Sequence, residues 1–252
     1  MSPSDDPYND HTINLEIAKR NIHRMEADGF ASYTRITDEA AEFISQYDRE
    51  CISLNGLTEL SAAAAESLSK HRGDLLLCNL RKLSDAAAES LSKHEGVILL
   101  WCLGELSDAG AESLSRHKGH LALGGLKTLS GAAAESFSKH QGRLDLDRVA
   151  TLSDAVAEAL SRHDGQLSLG GLEELSDSAA ESFSKHQGGI RLVNIKSLSD
   201  AATKSLSKYK GKLCLWGLKA LSDDAIESFS KSDTLLSLSP NNTYQRGRRV
   251  PD

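Results

Sequence analysis

The chain repeats itself in register. Leu75 to Val97 reads LLLCNLRKLSDAAAESLSKHEGV, and Ile98 to His120 reads ILLWCLGELSDAGAESLSRHKGH. The same frame restarts at Leu121, Leu144, Leu167, Ile190 and Leu213 and runs back to Ile52. This makes eight units of 23 residues over 52–235 without an insertion, followed by a ninth strand start at Leu236-Ser237-Leu238. Self-similarity at a period of this size confines a chain to architectures in which like stacks on like.

The consensus, L-x-L-x-G-L-x-x-L-S-D-x-A-A-E-S-L-S-K-H-x-G-x, holds two periodicities. L-x-L alternates as a half-buried strand does, whereas Ser84 to His94 follows helical spacing, with Ala87, Leu91 and His94 on one face. Ser84 or Asp85 supplies an N-cap oxygen, and the acid suits the positive end of the helix. Gly96 is expected to adopt the left-handed turn that ends it. One strand and one helix in 23 residues cannot bury their own apolar face, but stacked copies can. The expected fold is therefore an α/β solenoid. A parallel β-sheet lines one side, and bulkier α-helices splay the other, so the strand side becomes concave.

The pattern resembles the leucine-rich repeat, and within it the cysteine-containing class with its L-x-L-x-x-C-x-x-I-T-D-x-G-L signature. Leu75-x-Leu77 followed by Leu83-Ser84-Asp85 matches that spacing, and Ile36-Thr37-Asp38 matches the I-T-D element. The resemblance covers residues 36–240. It implies a right-handed horseshoe that binds protein partners. One departure stands out: the Cys/Asn position carries Leu57, Leu80, Leu103, Leu126, Val149, Leu172, Ile195 and Leu218. Aliphatic side chains cannot bond the turning backbone, so main chain or water must do so.

The chain then divides into an N-terminal cap over 1–51, eight repeats over 52–235, and a last strand with a basic tail over 236–252. Leu15, Ala18, Ile22 and Met25 predict an amphipathic cap helix from Ile13 to Ala27, ended by Gly29, and an imperfect first unit begins near Thr37 or Asp38. Pro240-Asn241-Asn242 breaks the frame, and the tail carries Arg246, Arg248 and Arg249.

Ser, Asp and His recur in every unit, but Ser84 and His94 lie at opposite ends of one helix, roughly 14 Å apart at ~1.5 Å per residue, so no catalytic triad closes. Histidines at 71, 94, 117, 140, 163 and 186 suggest metal at first. Helix axes ~8–10 Å apart do not bring neighbouring imidazoles to the ~2.0–2.1 Å a zinc ion needs. Tyr209 fills the same slot, which points to a planar ring rather than a ligand. The exposed helix face predicts i,i+4 pairs such as Glu89/Lys93, broken by Lys204/Lys208. Cys51, Cys78, Cys102 and Cys214 are too few and irregular for a disulfide framework.

Variation among copies concentrates in the strand. The middle position runs Ser53, Leu76, Leu99, Ala122, Asp145, Ser168, Arg191, Cys214, Ser237. The position after the second leucine runs Asn55, Cys78, Trp101, Gly124, Asp147, Gly170, Val193, Trp216, Ser239, and the position before the strand includes Val97, His120, Arg143 and Lys212. These side chains are expected to point outward. They form an apolar zone (Leu76, Leu99, Trp101, Cys78), a mixed-charge zone (Arg143, Asp145, Asp147, Arg148, Arg191) and Trp216 near the end. Exposed Trp beside Arg is hot-spot chemistry.

The function expected is a non-enzymatic scaffold binding a protein or peptide at Leu76, Leu99, Trp101, Arg143, Asp145, Asp147, Arg191 and Trp216. The alternatives are an array with no tight partner, or a hydrolase using Asp145, Asp147 and His120. A net charge of −7 argues against nucleic acid. The start Met1-Ser2-Pro3-Ser4-Asp5-Asp6 is not a secretory signal and no apolar run nears the ~20 residues of a membrane span, so the expectation is a cytoplasmic monomer without cofactor or metal.

Overall fold

The computed structural model describes residues 11–23 and 29–239, and within them the chain packs as two units that divide after Gly125. The first unit opens with two short strand–helix pairs: β1 (Thr12–Ile13), α1 (Leu15–Asn21), β2 (Arg35–Ile36) and α2 (Asp38–Ser45). It continues with β3 (Cys51–Ser53), α3 (Ala62–Ser69), β4 (Asp74–Leu76), α4 (Asp85–Leu91), β5 (Ile98–Leu99), α5 (Asp108–Leu114) and β6 (Leu121–Ala122). The second holds α6 (Gly131–Phe137), β7 (Leu144–Asp145), α7 (Asp154–Ser161), β8 (Leu167–Ser168), α8 (Asp177–Phe183), β9 (Ile190–Arg191), α9 (Asp200–Leu206), β10 (Lys212–Leu215), α10 (Asp223–Ser230) and β11 (Leu235–Leu238).

Strands follow chain order and pair in parallel. In the first unit Ile52 meets Leu75, Leu75 meets Ile98 and Ile98 meets Leu121. In the second Leu144 meets Leu167, then Ile190, Leu213 and Leu236. Each pairing joins residues one repeat apart, so the period of the letters is the period of the sheet. Leucines of the L-x-L strand and the turn leucine point inward: Leu75, Leu77 and Leu80 are all 0% exposed, as are Leu144, Leu146 and Val149. The turn satisfies its own backbone, as the aliphatic position required, with Leu80 N donating to Leu77 O at 3.1 Å and Leu172 N to Leu169 O at 3.2 Å.

Each repeat helix begins at a serine N-cap in extended conformation, as where Ser84 Oγ accepts from Ala87 N at 3.2 Å. The capping hydroxyl also reaches the preceding helix: Ser107 donates to Asp85, Ser176 to Asp154 at 2.6 Å, Ser199 to Asp177 and Ser222 to Asp200 at 2.9 Å. The asparagine at 14 and the threonine at 37 cap α1 and α2 in the same manner. They stand one repeat apart, so the cap is itself a degenerate copy of the helical half.

Two expectations need correction. The cap helix spans Leu15–Asn21 and not the range from Ile13, because Ile13 lies in β1, paired with Ile36; the expected end near Ala27 lies outside the described residues, as does the basic tail. Gly96 does not take a left-handed turn, since among the described residues no glycine has a positive φ. The glycine is there for closeness: a Cβ on Gly96 would strike Gly73 O, and one on Gly119 would come within 2.5 Å of Gly96 O. The same contact recurs in the second unit for Gly165 on Gly142 O and Gly211 on Gly188 O.

Candidate functional site

Each unit carries its own outward strand rows. In the first, Leu76 and Leu99 are half-buried on β4 and β5, and Trp101 just beyond β5 is 54% exposed. The indole lies over the next repeat, where Gly124 offers no side chain; a Cβ there would stand 3.8 Å from Trp101 Cδ1. Beside it Cys78 N donates to Asn55 Oδ1 at 3.2 Å, and all four cysteines are free thiols.

In the second unit the charged residues form two clusters. Arg143 Nε donates to Asp145 Oδ1 at 2.8 Å, and Asp145 is only 7% exposed. The expectation that Asp145 projects outward therefore gives way to a carboxylate flattened against the sheet. Strands ~4.8 Å apart crowd short side chains in the middle row, and Ser168 and Cys214 are covered as well. Asp147 accepts from Ser168 Oγ and from Gly170 N at 2.8 Å, with Arg191 Nη1 at 3.9 Å from its other oxygen and 3.3 Å from Ser168 Oγ. Gly170 lets this carboxylate lie close: a Cβ would stand 2.6 Å from Asp147 Oδ1 and push the side chain aside. Trp216, after β10, is 53% exposed and donates from Nε1 to Ser237 Oγ at 3.1 Å.

The structure thus brings Asp147 and Arg191 together, pairs Arg143 with Asp145, and leaves Trp216 projecting. Sequence reasoning missed the roles of Ser168 and Gly170 as partners of Asp147. The available signal was the repeat spacing, which sets Gly170 beside Asp147 on the neighbouring strand.

On the helical side the histidine rings are buried and stacked. His94 and His117 lie 6.2 Å apart between centroids with planes 8° apart, and His140, His163, His186 and Tyr209 form a run at 5.7, 6.1 and 6.4 Å. Several of the rings donate to the preceding repeat's backbone: His117 Nδ1 to His94 O at 2.9 Å, His186 Nε2 to Gly165 O at 3.0 Å, and the Tyr209 hydroxyl to Gly188 O. Tyr209 keeps that pattern, which explains why a phenol replaces an imidazole. Burial holds His71, His94 and His186 below the usual histidine value, takes His163 down to about 4, and raises Tyr209 to about 12. Among the described residues no group of three or more His, Cys, Asp or Glu is placed to hold a metal ion, and no helix is long and apolar enough to cross a membrane.

Among solved structures the chain is similar to an internalin from Listeria monocytogenes strain 4b F2365, with a TM-score of 0.52 at 17% identity, covering 85% of this chain and 70% of that one. The fold is a leucine-rich-repeat solenoid. At that identity the likeness speaks to architecture alone. No family model and no curated protein matches the sequence.

Proposed function

We propose that the chain is a non-enzymatic protein-interaction scaffold, and that a protein or peptide docks on the outward face of its strands. One observation carries this reading. Among the described residues the large hydrophobic side chains left exposed are Trp101, Trp216 and Leu235, and all three stand on the outward strand rows. A stacked array gains nothing from a bare indole, whereas an interface does. The helical half, nearly identical in every copy, carries the packing; the strand rows carry the differences. The leucine-rich-repeat architecture supports a binding role, and Ile36-Thr37-Asp38 supports the cysteine-containing subtype.

The test is a comparative capture. Wild-type chain and the variants Trp101→Ala, Trp216→Ala and Arg191→Glu are immobilised beside a helical-face control, Glu181→Lys. A stoichiometric partner held by wild type and by the control, and weakened about tenfold or more by a strand-face variant, supports the reading. A partner held equally by all three strand-face variants refutes it.

A further inference from the structure

The strand face of the second unit presents a sharper chemistry. Arg191 on β9 and Cys214 on β10 are register partners, and Lys212 and Trp216 stand two residues to either side of Cys214 in the same outward row. At ~4.8 Å between strands and ~3.3 Å per residue, two cations and an indole fall within roughly 10 Å of one thiol. Cys214 registers both charges: burial pushes its thiol up, while Arg191 and Lys212 each pull it down.

The carboxylates of this face balance those cations only in part. Asp145 is held by Arg143 at 2.8 Å and buried, and Asp147 gives one oxygen to Ser168 Oγ and the Gly170 N–H while the other stands 3.9 Å from Arg191 Nη1, a long contact that leaves Lys212 without a described carboxylate. Lys212 and Arg148 are exposed and make no ion pair with any described residue. A chain of net charge −7 thus shows the Lys212 ammonium, with no described carboxylate on it, beside a bare Trp216 and an Arg191 that meets a described carboxylate only at 3.9 Å.

We propose that this face receives an acidic peptide segment, one carboxylate meeting Arg191 and Lys212 while an adjacent apolar side chain lies against Trp216. The proposal rests on the strand-face reading above and narrows its partner. A basic segment meets like charge there, and a neutral one covers Lys212 without replacing its water. The cations are too few for a nucleic-acid footprint on a chain of this net charge.

A displayed library of random peptides, roughly 12 residues long, selected on the full chain, tests this. The expected peptides place Asp or Glu beside Leu, Phe or Trp. They bind about tenfold or more weakly to Lys212→Glu and Trp216→Ala, and weaken as salt rises. Lys212 is exposed and makes no ion pair with any described residue, so its charge reversal should leave the fold intact; circular dichroism checks this for each variant. Arg191→Glu serves as a second charge reversal. Peptides that need Trp216 but carry no acid, or ignore both charge reversals, overturn the proposal and leave the strand-face reading standing. Peptides indifferent to Trp216, Lys212 and Arg191 alike, or no enrichment at all, overturn both. Tighter binding of single-stranded DNA than of the acidic peptides at the same face also overturns the proposal.

Discussion

At the scale of single residues, the ring ladder has a consequence for pH. His163 is 1% exposed and lies between His140 and His186. Burial depresses it first, then both neighbouring imidazoles, against the opposing pull of the Gly142 and His140 backbone nearby; Asp164 faces the adjoining His186. Its pKa falls from 6.5 to about 4 in the folded chain. Above 6.5 neither folded nor unfolded chain holds the proton, and stability is unaffected. Below 6.5 the unfolded chain binds it first, so stability declines as pH falls and levels off below about 4, a loss of about 3 kcal/mol from this residue. Urea midpoints between pH 7.5 and 4 should show the slope. His163→Tyr, copying Tyr209, should flatten it. An unchanged slope in that variant would place the acid sensitivity elsewhere. The glycines behind the ladder were legible as letters but not as contacts. Gly96 reads as a helix-ending turn because a sequence carries no separation between stacked backbones. Gly119→Ala should cost about 1–3 kcal/mol in urea unfolding, because its Cβ would meet Gly96 O at 2.5 Å and His117 Nε2 at 2.8 Å. Asp145 was misread for a related cause: strand parity gives a direction, and neighbouring side chains decide how far it reaches.

At the scale of elements, helix starts were readable and their coupling was not. A serine before an acid and an alanine run announces an N-cap, but the donation of that hydroxyl to the previous helix depends on the stack. Charge pairs behave likewise. Glu66–Lys70 at 3.7 Å and Glu181–Lys185 at 3.5 Å close within one helix, yet Glu89 and Glu135 bond Arg116 and Arg162 of the following repeats, since arginine reaches where lysine does not. The Ser–Asp chain between helices has two visible gaps. Ala62 and Gly131 occupy the position held by Asp in the other helix starts, leaving the Ser84 and Ser153 hydroxyls without that acceptor. Both positions are exposed, and a Cβ on Gly131 meets nothing within 4 Å. Ala62→Asp should add roughly 0.5–1 kcal/mol through the helix dipole and the new bond. Gly131→Asp should add about 1–2 kcal/mol, since it also removes a glycine from a helix. Thermal melts of each variant measure the gain. A lowered midpoint would mean that the inter-helix bond does not form.

At the scale of the molecule, the fold was legible because one number, the repeat length, governs both halves of every unit. Strand register, inward leucines and helix caps all follow from it. The binding rows were legible only as places of variation, since the partner's chemistry is set by the one region the repeat does not constrain. If the period is the organising quantity, removing one whole unit should leave the repeated packing contacts in kind, while Asp147 loses Ser168 and Gly170 and turns away from Val193. Deleting 167–189 brings Ile190 beside Leu144, Tyr209 onto His163 and Gly211 against Gly165, each an interaction type already present in the second unit. The shortened chain should keep its ellipticity per residue and a cooperative urea transition, at a cost of a few kcal/mol for one lost interface. Deleting 167–190 removes a single residue more. Arg191 then enters the inward slot beside Leu144, where a guanidinium has no partner, or the strand slips and turns its leucines outward. That variant should lose cooperativity. Equal behaviour of the two deletions would show that the loops absorb a one-residue error, and that neighbour-to-neighbour register does not hold the array together.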